Sequence, residues 1–249
     1  MSWFEEWFDS PLYEQLYSNR NEVEAALLAD LIEKNIPRFR YPQILDLGCG
    51  RGRHSITLAL RGYRVAGVDL SEEAIKLAKQ RAREKGAEVD FIIGDMRDSL
   101  NLRFDAIVNL FTTFGYFADD SENEKVISNA SSMLKPEGLL MIDFFNSKVV
   151  VEKLVPGDAG SFKNLNFHIT RYIKDGMVFK KILFEGPQNT KPVQYIERVK
   201  LYDLDWFREV YKNHHLELIS VYGNYEGDPF DTETSPRLIM LCRKTGQPE

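Results

Sequence analysis

Short apolar runs alternate with longer amphipathic segments along the first 145 residues of the chain. The runs suit buried strands, and they lie at residues 43–47, 63–68, 89–93, 104–109 and 139–145. Between them, apolar residues recur at helical spacing, as in the segment EEAIKLAKQRAREK, which Ser71 can cap and Gly86 can end. This alternation predicts an α/β fold with a largely parallel sheet.

The pattern changes after residue 145. Three segments with strand character follow, FHITRYI, MVFKKILFE and VQYIERVKLY, and the turn signal Asp175-Gly176 joins the first two. They predict a three-stranded antiparallel insertion at 146–200, which serves either as a wall of a substrate pocket or as a dimerisation surface. A helix to His214 and two further strands, 216–222 and 238–242, then return to the main sheet. We therefore expect a core formed by residues 37–145 and 201–249.

Aromatic residues are concentrated at the start of the chain. Six occur within the first seventeen residues, and a helical pattern then continues until Pro37. The aromatic rings either pack a terminal helix onto the domain or form a lid over a ligand.

The segment QILDLGCGRGRH at 43–54 carries the main chemical signal. An apolar strand leads into Gly48, Gly50 and Gly52, and a helical pattern resumes near Arg53. Glycines permit a sharp turn and a close approach of ligand to backbone, and the helix start offers free N–H groups. The spacing departs from the nicotinamide fingerprint G-x-G-x-x-G, because Arg53 stands where the third glycine belongs.

Two acidic residues complete the pattern. Asp69 ends the second apolar run, at a distance suited to binding ribose hydroxyls, and Asp95 follows the third run in IIGDMRD. With Asp46 and the three glycines, these residues resemble the class I S-adenosylmethionine-dependent methyltransferases. The resemblance implies a Rossmann-like, seven-stranded, doubly wound sheet whose last strand is antiparallel. It also implies that residues 1–36, which precede the first strand, form a helical lid over the cofactor. The insertion resembles those of small-molecule methyltransferases, including amino-sugar N-methyltransferases.

The resemblance also implies a set of cofactor-binding residues. Asp69 would bind the ribose, Asp95 would bind the adenine amino group, and Met96 would pack against the ring. Alternatively, Asp95 is a turn residue after glycine. Arg20 either pairs with a carboxylate of the cofactor or substrate or is a solvated surface arginine. The full set comprises Asp46, Gly48, Cys49, Gly50, Gly52, Asp69, Leu70, Asp95, Met96, Asn109, Leu110, Tyr17 and Arg20.

No catalytic base is evident, and the candidates are Tyr116, His168 and Asp143. Tyr116 lies in LFTTFGYF, which follows the fourth strand and should face the reaction. Asp143, at the end of the fifth strand, either reaches the substrate or caps local backbone. In the same loop, Phe111 and Phe114 either contact ligand or belong to the core.

Composition limits the class of protein. The net charge of −6 and the lack of a long basic run make nucleic acid an unlikely partner. The two cysteines form no C-x-x-C pair, so neither a disulfide framework nor a metal site is indicated, and a reducing cytoplasm is expected. The aromatic, acidic N-terminus and the absence of a long apolar segment argue against secretion and membrane spanning.

We therefore expect an S-adenosylmethionine-dependent methyltransferase that acts on nitrogen or oxygen of a small-molecule acceptor, as a possible homodimer. Two alternatives stay open. One is a nicotinamide-dependent oxidoreductase, which Asp69 alone would allow. The other is a module that binds the cofactor without catalysis.

Overall fold

The computed structural model describes residues 3–17, 22–162, 165–186 and 191–246. The helices in these ranges are α1 Trp3–Asp9, α2 Pro11–Leu16, α3 Glu22–Asn35, α4 Arg53–Leu60, α5 Glu72–Lys85, α6 Asp120–Met133, α7 Ser147–Glu152 and α8 Leu204–Asn213. The strands are β1 Gln43–Leu47, β2 Arg64–Asp69, β3 Val89–Ile93, β4 Phe104–Asn109, β5 Leu134–Phe145, β6 Gly157–Phe162, β7 Leu165–Lys174, β8 Met177–Glu185, β9 Val193–Lys200, β10 Leu216–Tyr222 and β11 Arg237–Lys244. None of the described helices combines the length and apolar composition that crossing a bilayer requires.

Seven strands form the main sheet in the order β10-β11-β5-β4-β1-β2-β3. Strands β1 to β5 pair in parallel, whereas β11 runs antiparallel to both β5 and β10. The predicted seven-stranded sheet with an antiparallel last strand is confirmed. The strand order reverses between β1 and β4, and in open α/β sheets such a reversal opens a crevice at the carboxyl ends of the strands.

Both faces of the sheet are covered, which explains why its strands show no alternation of polar and apolar residues. Leu45 and Ile107 pack on one face with α6 and α8 residues such as Ile127 and Phe207. Neighbouring strand residues, beginning with Ile44, pack on the other face with α3. Two hydrophobic layers thus hold the strand ends at a common edge.

Helix caps follow the chemistry of the sequence. Ser71 accepts the N–H of Ala74 at the start of α5, and Gly86 ends that helix with φ of 67°. Asp119 caps α6, and Asp203 caps α8 by accepting the N–H of Trp206. These caps satisfy N–H groups that the helices leave unpaired.

The inserted sheet has four strands, β6-β7-β8-β9, so the prediction of three was wrong. The additional strand, β6, has the sequence GDAGSF and pairs with β7 at the sheet edge. Its glycines and its exposed position remove the apolar alternation that marks the other strands. Pairing with β7, rather than local propensity, makes this segment a strand.

The N-terminal helices pack on the inserted sheet. Trp7 is fully buried in a cluster with Ile169, Ile182 and Phe184. Trp7 also lies 4.5 Å from the ring of Tyr195, measured between ring centroids. The aromatic start of the chain therefore forms a hydrophobic core with the insertion, above the edge of the main sheet. The division of the chain into lid, core and insertion stays a prediction.

Candidate active site

A cavity of about 1120 Å³ opens at the carboxyl ends of the parallel strands. Its walls come from the turns after β1 to β4, from the N-terminal helices and from β9 of the inserted sheet. Lining residues from the sheet edge include Gly48, Cys49, Gly50, Arg51, Asp69, Leu70, Gly94, Asp95, Met96, Leu110, Phe111, Thr112 and Thr113. The opposite wall includes Trp3, Phe4, Phe8, Tyr13, Tyr17, Tyr116, Phe117, Phe145, Glu197 and Val199.

Two glycines of the turn after β1 serve different purposes. Gly50 has φ of 53°, and an added Cβ would meet no atom within 4 Å, so the backbone is open toward the cavity. Gly52 has φ of 75°, and an added Cβ would lie 2.7 Å from Cζ of Phe91 and 3.0 Å from Cβ of Ala78. Gly52 thus lets α4 pack against the sheet and does not line the cavity. Its predicted place in the cofactor site stays a prediction.

Asp69 connects the glycine turn to the cavity. Its Oδ2 accepts the N–H of Gly50 at 2.7 Å, and its Oδ1 accepts the N–H of Ser71 at 3.0 Å. Burial raises its pKa, while these backbone hydrogen bonds act in the opposite direction. A carboxylate has lone pairs beyond these two bonds, so Asp69 can also accept from ligand hydroxyls. Leu70 lines the cavity beside it.

Asp95 is held by a guanidinium that the sequence analysis did not single out. Nε of Arg97 donates to Oδ1 and Oδ2 of Asp95 at 3.0 and 3.1 Å, and the Arg97 N–H donates to Oδ1 at 2.8 Å. Partial burial by itself raises the pKa of Asp95, but the hydrogen bonds from Arg97 outweigh it and leave the pKa lowered. Arg97 also donates to Glu122 at 2.6 Å and lies 4.4 Å from the ring of Phe117. The carboxylate is therefore ionised and fixed in orientation, with Met96 beside it in the wall.

Two further predicted residues lie behind the cavity wall instead of in it. Asp46 is buried and its Oδ2 accepts the hydroxyl of Ser55 at 2.6 Å. Burial, with the charge of Asp69 as a smaller cause, raises the pKa of Asp46 to about 7. Asn109 is buried as well, and its Nδ2 donates to the carbonyl of Leu47 at 2.8 Å. Both side chains support the glycine turn from below.

Glu197 joins the N-terminal helices to the inserted sheet. Its Oε1 accepts the indole N–H of Trp7 and the hydroxyl of Tyr17, each at 2.6 Å. Nζ of Lys180 forms an ion pair with Oε2 at 3.6 Å and donates to the Tyr17 hydroxyl. Tyr17 and Glu197 line the cavity, and only Tyr17 was anticipated. Arg20 lies outside the described residues.

The three catalytic candidates have different positions. Tyr116 lines the cavity, with its ring 5.3 Å from Trp3 and 5.7 Å from Phe8. His168 does not line it: the imidazole is exposed on β7, and its Nε2 lies 3.3 Å from Glu185. Asp143 is fully buried and accepts the N–H of Phe111 at 2.9 Å. Asp143 therefore caps local backbone, the second of its two anticipated roles.

The loop after β4 separates its two phenylalanines. Phe111 and Thr112 both have φ of 60°, in the left-handed region. Phe111 lines the cavity, whereas Phe114 is 1% exposed and belongs to the hydrophobic core. Left-handed conformations of this kind cost of order 1–3 kcal/mol per residue and are concentrated at functional sites. His54, Arg53 and Arg237 also line this part of the cavity. Neither arginine was among the predicted site residues.

The family model described as "Methyltransferase domain" matches residues 42–197, more than half of the chain. The chain belongs to this methyltransferase family. A putative methyltransferase, YqeM of Bacillus subtilis (strain 168), is 34% identical over 123 residues, covering 49% of each chain. A dTDP-3-amino-3,6-dideoxy-alpha-D-glucopyranose N,N-dimethyltransferase of Streptomyces fradiae is 31% identical over 123 residues, covering 48% of this chain and 45% of the relative. The aligned part thus spans about half the length of these curated relatives.

Among solved structures, an S-adenosylmethionine-dependent methyltransferase from Clostridium acetobutylicum ATCC 824 has the same fold. The TM-score is 0.81 at 20% identity, and the alignment covers 94% of this chain and 97% of that one. The expected class I methyltransferase fold is confirmed. S-adenosylmethionine is the cofactor of the family, which removes the nicotinamide alternative.

The cavity edge of this chain has side chains that fit that cofactor. The backbone at Gly50 is open, which permits the close approach that a bound ligand needs. Asp69 and Asp95 present carboxylates to the same cavity, and Leu70, Met96 and Leu110 add apolar surface between them. These side chains match the ribose hydroxyls, amino group and apolar ring of an adenosine moiety.

Proposed function

We propose that the protein transfers a methyl group from S-adenosylmethionine to a nitrogen atom of a small-molecule acceptor. One observation carries this proposal: a single cavity extends from the glycine turn and Asp69 to the aromatic wall and Glu197. Its volume, about 1120 Å³, slightly exceeds the range of about 300–1000 Å³ for a single ligand. A cofactor and an acceptor can therefore lie in it together.

On the cofactor side, we assign the ribose hydroxyls to Asp69 and the adenine amino group to Asp95. Arg97 keeps Asp95 ionised and oriented, so that carboxylate accepts a hydrogen bond without rearrangement. Met96 and Leu70 pack against the purine. When bound, the cofactor supplies an electrophilic methyl group, and attack by the acceptor nitrogen breaks the C–S bond as the N–C bond forms.

On the acceptor side, the wall is aromatic and carries one carboxylate. Rings from Trp3, Phe4, Phe8 and Tyr116 form a surface for an apolar body. Glu197 is 19% exposed, and its Oε2 pairs with the ammonium of Lys180 at 3.6 Å, longer than a hydrogen bond. A carboxylate beside aromatic faces favours an amine over an alcohol. The Streptomyces fradiae relative, whose name assigns it N,N-dimethylation of an amino sugar, supports the same choice.

The protein's contribution is mainly positioning. An in-line displacement needs the nucleophile about 3 Å from the methyl carbon, and the packed lid helices exclude water from that region. Glu197 accepts an N–H of the acceptor amine and so directs the nitrogen lone pair away from itself. The proton released from the product ammonium passes to Glu197 and then to solvent. Tyr116 adds a ring and a hydroxyl to the same wall.

Two measurements test the proposal. Calorimetry with S-adenosylhomocysteine should show binding to the folded protein. Transfer of labelled methyl should then be measured for matched acceptors, phenethylamine against phenethyl alcohol, and for amino sugars against the corresponding sugars. We expect turnover with amines only. Turnover with alcohols would assign oxygen as the acceptor atom, and cofactor binding without any turnover would favour the non-catalytic alternative.

Variants at Glu197 test its assignment. Glu197→Gln keeps an oxygen that accepts from Trp7 and Tyr17 but removes the charge, so we expect amine turnover to fall at least tenfold with cofactor affinity unchanged. Glu209→Gln, on the exposed face of α8, makes the same chemical change away from the cavity. Equal turnover in the two variants would contradict the role of Glu197.

We also propose a cytoplasmic location. Cys49 and Cys242 are both free thiols and both buried. Free thiols persist in reducing compartments. Cell fractionation with an antibody against the chain would check the location.

A further inference from the structure

The loop after β4 has a backbone that needs an external constraint. Phe111 and Thr112 have φ of 60°, and a β-branched residue such as Thr112 rarely adopts that value. Both residues line the cavity. Strained backbone persists only where the surrounding structure over-determines it. The groups that hold this loop therefore bear on the site.

Asp143, near the end of β5, makes the direct contacts to this loop. Its Oδ2 accepts the N–H of Phe111 at 2.9 Å, and its backbone carbonyl accepts the N–H of Thr112 at 3.0 Å. The side chain is 0% exposed, so these bonds do not compete with solvent. One buried residue thus fixes two successive amides of the loop.

Arg237 and Tyr225 hold Asp143 in turn. Arg237 donates from Nε and Nη2 to Oδ1 of Asp143 at 2.8 and 2.6 Å, and from Nη2 to Oγ1 of Thr112 at 2.9 Å. Tyr225 donates its hydroxyl to Oδ2 of Asp143 at 2.9 Å. Together with the N–H of Phe111, these two side chains satisfy both oxygens of the buried carboxylate, which is the condition under which a buried ion pair is stable.

The protonation states suit these bonds. Burial raises the pKa of Tyr225 far above its ordinary value, and the charge of Asp143 raises it further, so the phenol stays a donor. Burial by itself lowers the pKa of Arg237, but the attraction of Asp143 outweighs it and leaves the pKa raised. The phenol and the guanidinium therefore remain hydrogen-bond donors across the ordinary pH range.

We propose that Asp143, Arg237 and Tyr225 form a brace whose function is to position the Phe111–Thr112 loop for methyl transfer. The loop presents the ring of Phe111 to the cavity, with Cζ of Arg53 4.8 Å and Cζ of Arg237 5.8 Å from the ring centroid. The next residue, Thr113, packs against the glycine turn at Gly48, where an added Cβ would lie 2.9 Å from Cβ of Thr113. The brace thus sets the spacing between the glycine turn and the adjacent cavity wall.

A consequence for rate follows, and it rests on the proposed function. Displacement of a reacting group by about 1 Å can cost on the order of 100-fold in rate. A relaxed loop would shift Phe111 and Thr113 while leaving Asp69 and Asp95 in place. Loss of the brace should therefore lower turnover and spare cofactor affinity.

Tyr225→Phe is the test variant, because Tyr225 does not line the cavity and the change removes only the hydroxyl that donates to Asp143. Tyr222→Phe is the matched control: its hydroxyl donates to Oδ1 of Asn35 at 2.6 Å, away from the brace. Hydrogen–deuterium exchange at the amides of Phe111 and Thr112 measures the brace without any acceptor. We expect exchange at these amides to be at least tenfold faster in Tyr225→Phe than in the unaltered protein. In Tyr222→Phe the rate should be unchanged. Arg237→Lys keeps the positive charge but loses the paired hydrogen bonds from Nε and Nη2 to Asp143, so it should accelerate exchange further.

The second readout is kinetic. In Tyr225→Phe we expect kcat to fall at least fivefold for an acceptor that the labelled-methyl assay identifies. KM for S-adenosylmethionine and affinity for S-adenosylhomocysteine should stay within threefold of the unaltered protein. Unchanged exchange, or equal acceleration in both tyrosine variants, would overturn the brace. Faster exchange with unchanged kcat would overturn its positioning role. If the unaltered protein methylates no acceptor, the proposed function fails, and the exchange data alone decide whether the brace exists.

Discussion

Gly50 and Gly52 differ only by two positions in the sequence, but the structure predicts opposite consequences for their replacement by alanine. Gly52→Ala adds a Cβ at 2.7 Å from Phe91 and 3.0 Å from Ala78, on backbone with φ of 75°. Gly50→Ala adds a Cβ with no neighbour within 4 Å, on backbone with φ of 53°. Gly52→Ala therefore creates a steric clash in the packed interior, whereas Gly50→Ala places a methyl group in the cavity.

The magnitudes follow from separate contributions. A left-handed alanine costs about 1–2 kcal/mol relative to glycine, and reduced freedom of the unfolded chain returns about 0.4–1 kcal/mol. Overpacking adds about 1–3 kcal/mol for Gly52→Ala alone. We therefore expect a loss of roughly 1 kcal/mol for Gly50→Ala and roughly 2–4 kcal/mol for Gly52→Ala. At about 2–4 °C per kcal/mol, the second variant should melt roughly 5–15 °C lower.

Thermal denaturation and calorimetry with S-adenosylhomocysteine measure the two effects on the same samples. Gly50→Ala should melt within a few degrees of the unaltered protein but bind at least tenfold more weakly. Gly52→Ala should melt much lower and, while folded, bind within threefold. Undiminished binding by Gly50→Ala would refute the placement of the ligand against the turn. An unchanged melting temperature for Gly52→Ala would refute the packing argument.

Two further predictions concern the aspartates of the site. Asp46 has a pKa of about 7 against 3.8 in the unfolded chain, so the folded state holds the proton more tightly and stability falls as pH rises between these values, by roughly 4 kcal/mol in total. Asp46→Asn stays neutral and can still accept from Ser55. Urea denaturation should therefore show that the free energy of unfolding of the variant rises relative to that of the unaltered protein from pH 5 to pH 8. Parallel pH profiles of the two proteins would contradict this. Asp69→Ala removes the acceptor of the Gly50 N–H and a cavity carboxylate, so affinity for S-adenosylhomocysteine should fall by roughly 2–4 kcal/mol in calorimetry. Unchanged affinity would show that Asp69 does not face the cofactor.

The edge of the cavity at the strand ends could be predicted from the sequence, because the signals for its residues are local. A strand, a glycine turn and a helix N-terminus succeed one another within twelve residues, and Asp69 and Asp95 each follow their own apolar run. In a parallel sheet such strand ends meet at one edge regardless of other contacts. The positions of Gly50, Asp69 and Asp95 in one cavity were therefore foreseeable.

The tertiary structure alone decided the remaining walls. Arg237 reaches Asp143 across 94 positions of sequence, and Trp7 reaches Glu197 across 190. No periodicity or spacing encodes such pairs. The same holds for Phe111 and Phe114, which the left-handed loop sends to the cavity and to the core.

The errors have the same physical origin. β6 became a strand by pairing with β7, and His168 fell outside the cavity because the twist and register of the inserted sheet, not its composition, choose which residues face the site. Local chemistry thus determined the sheet, the turn and the two cavity carboxylates, Asp69 and Asp95, of this protein. Long-range packing determined the aromatic wall of the cavity and the groups that hold it, because burial and hydrogen bonding there depend on residues that the chain brings together only on folding.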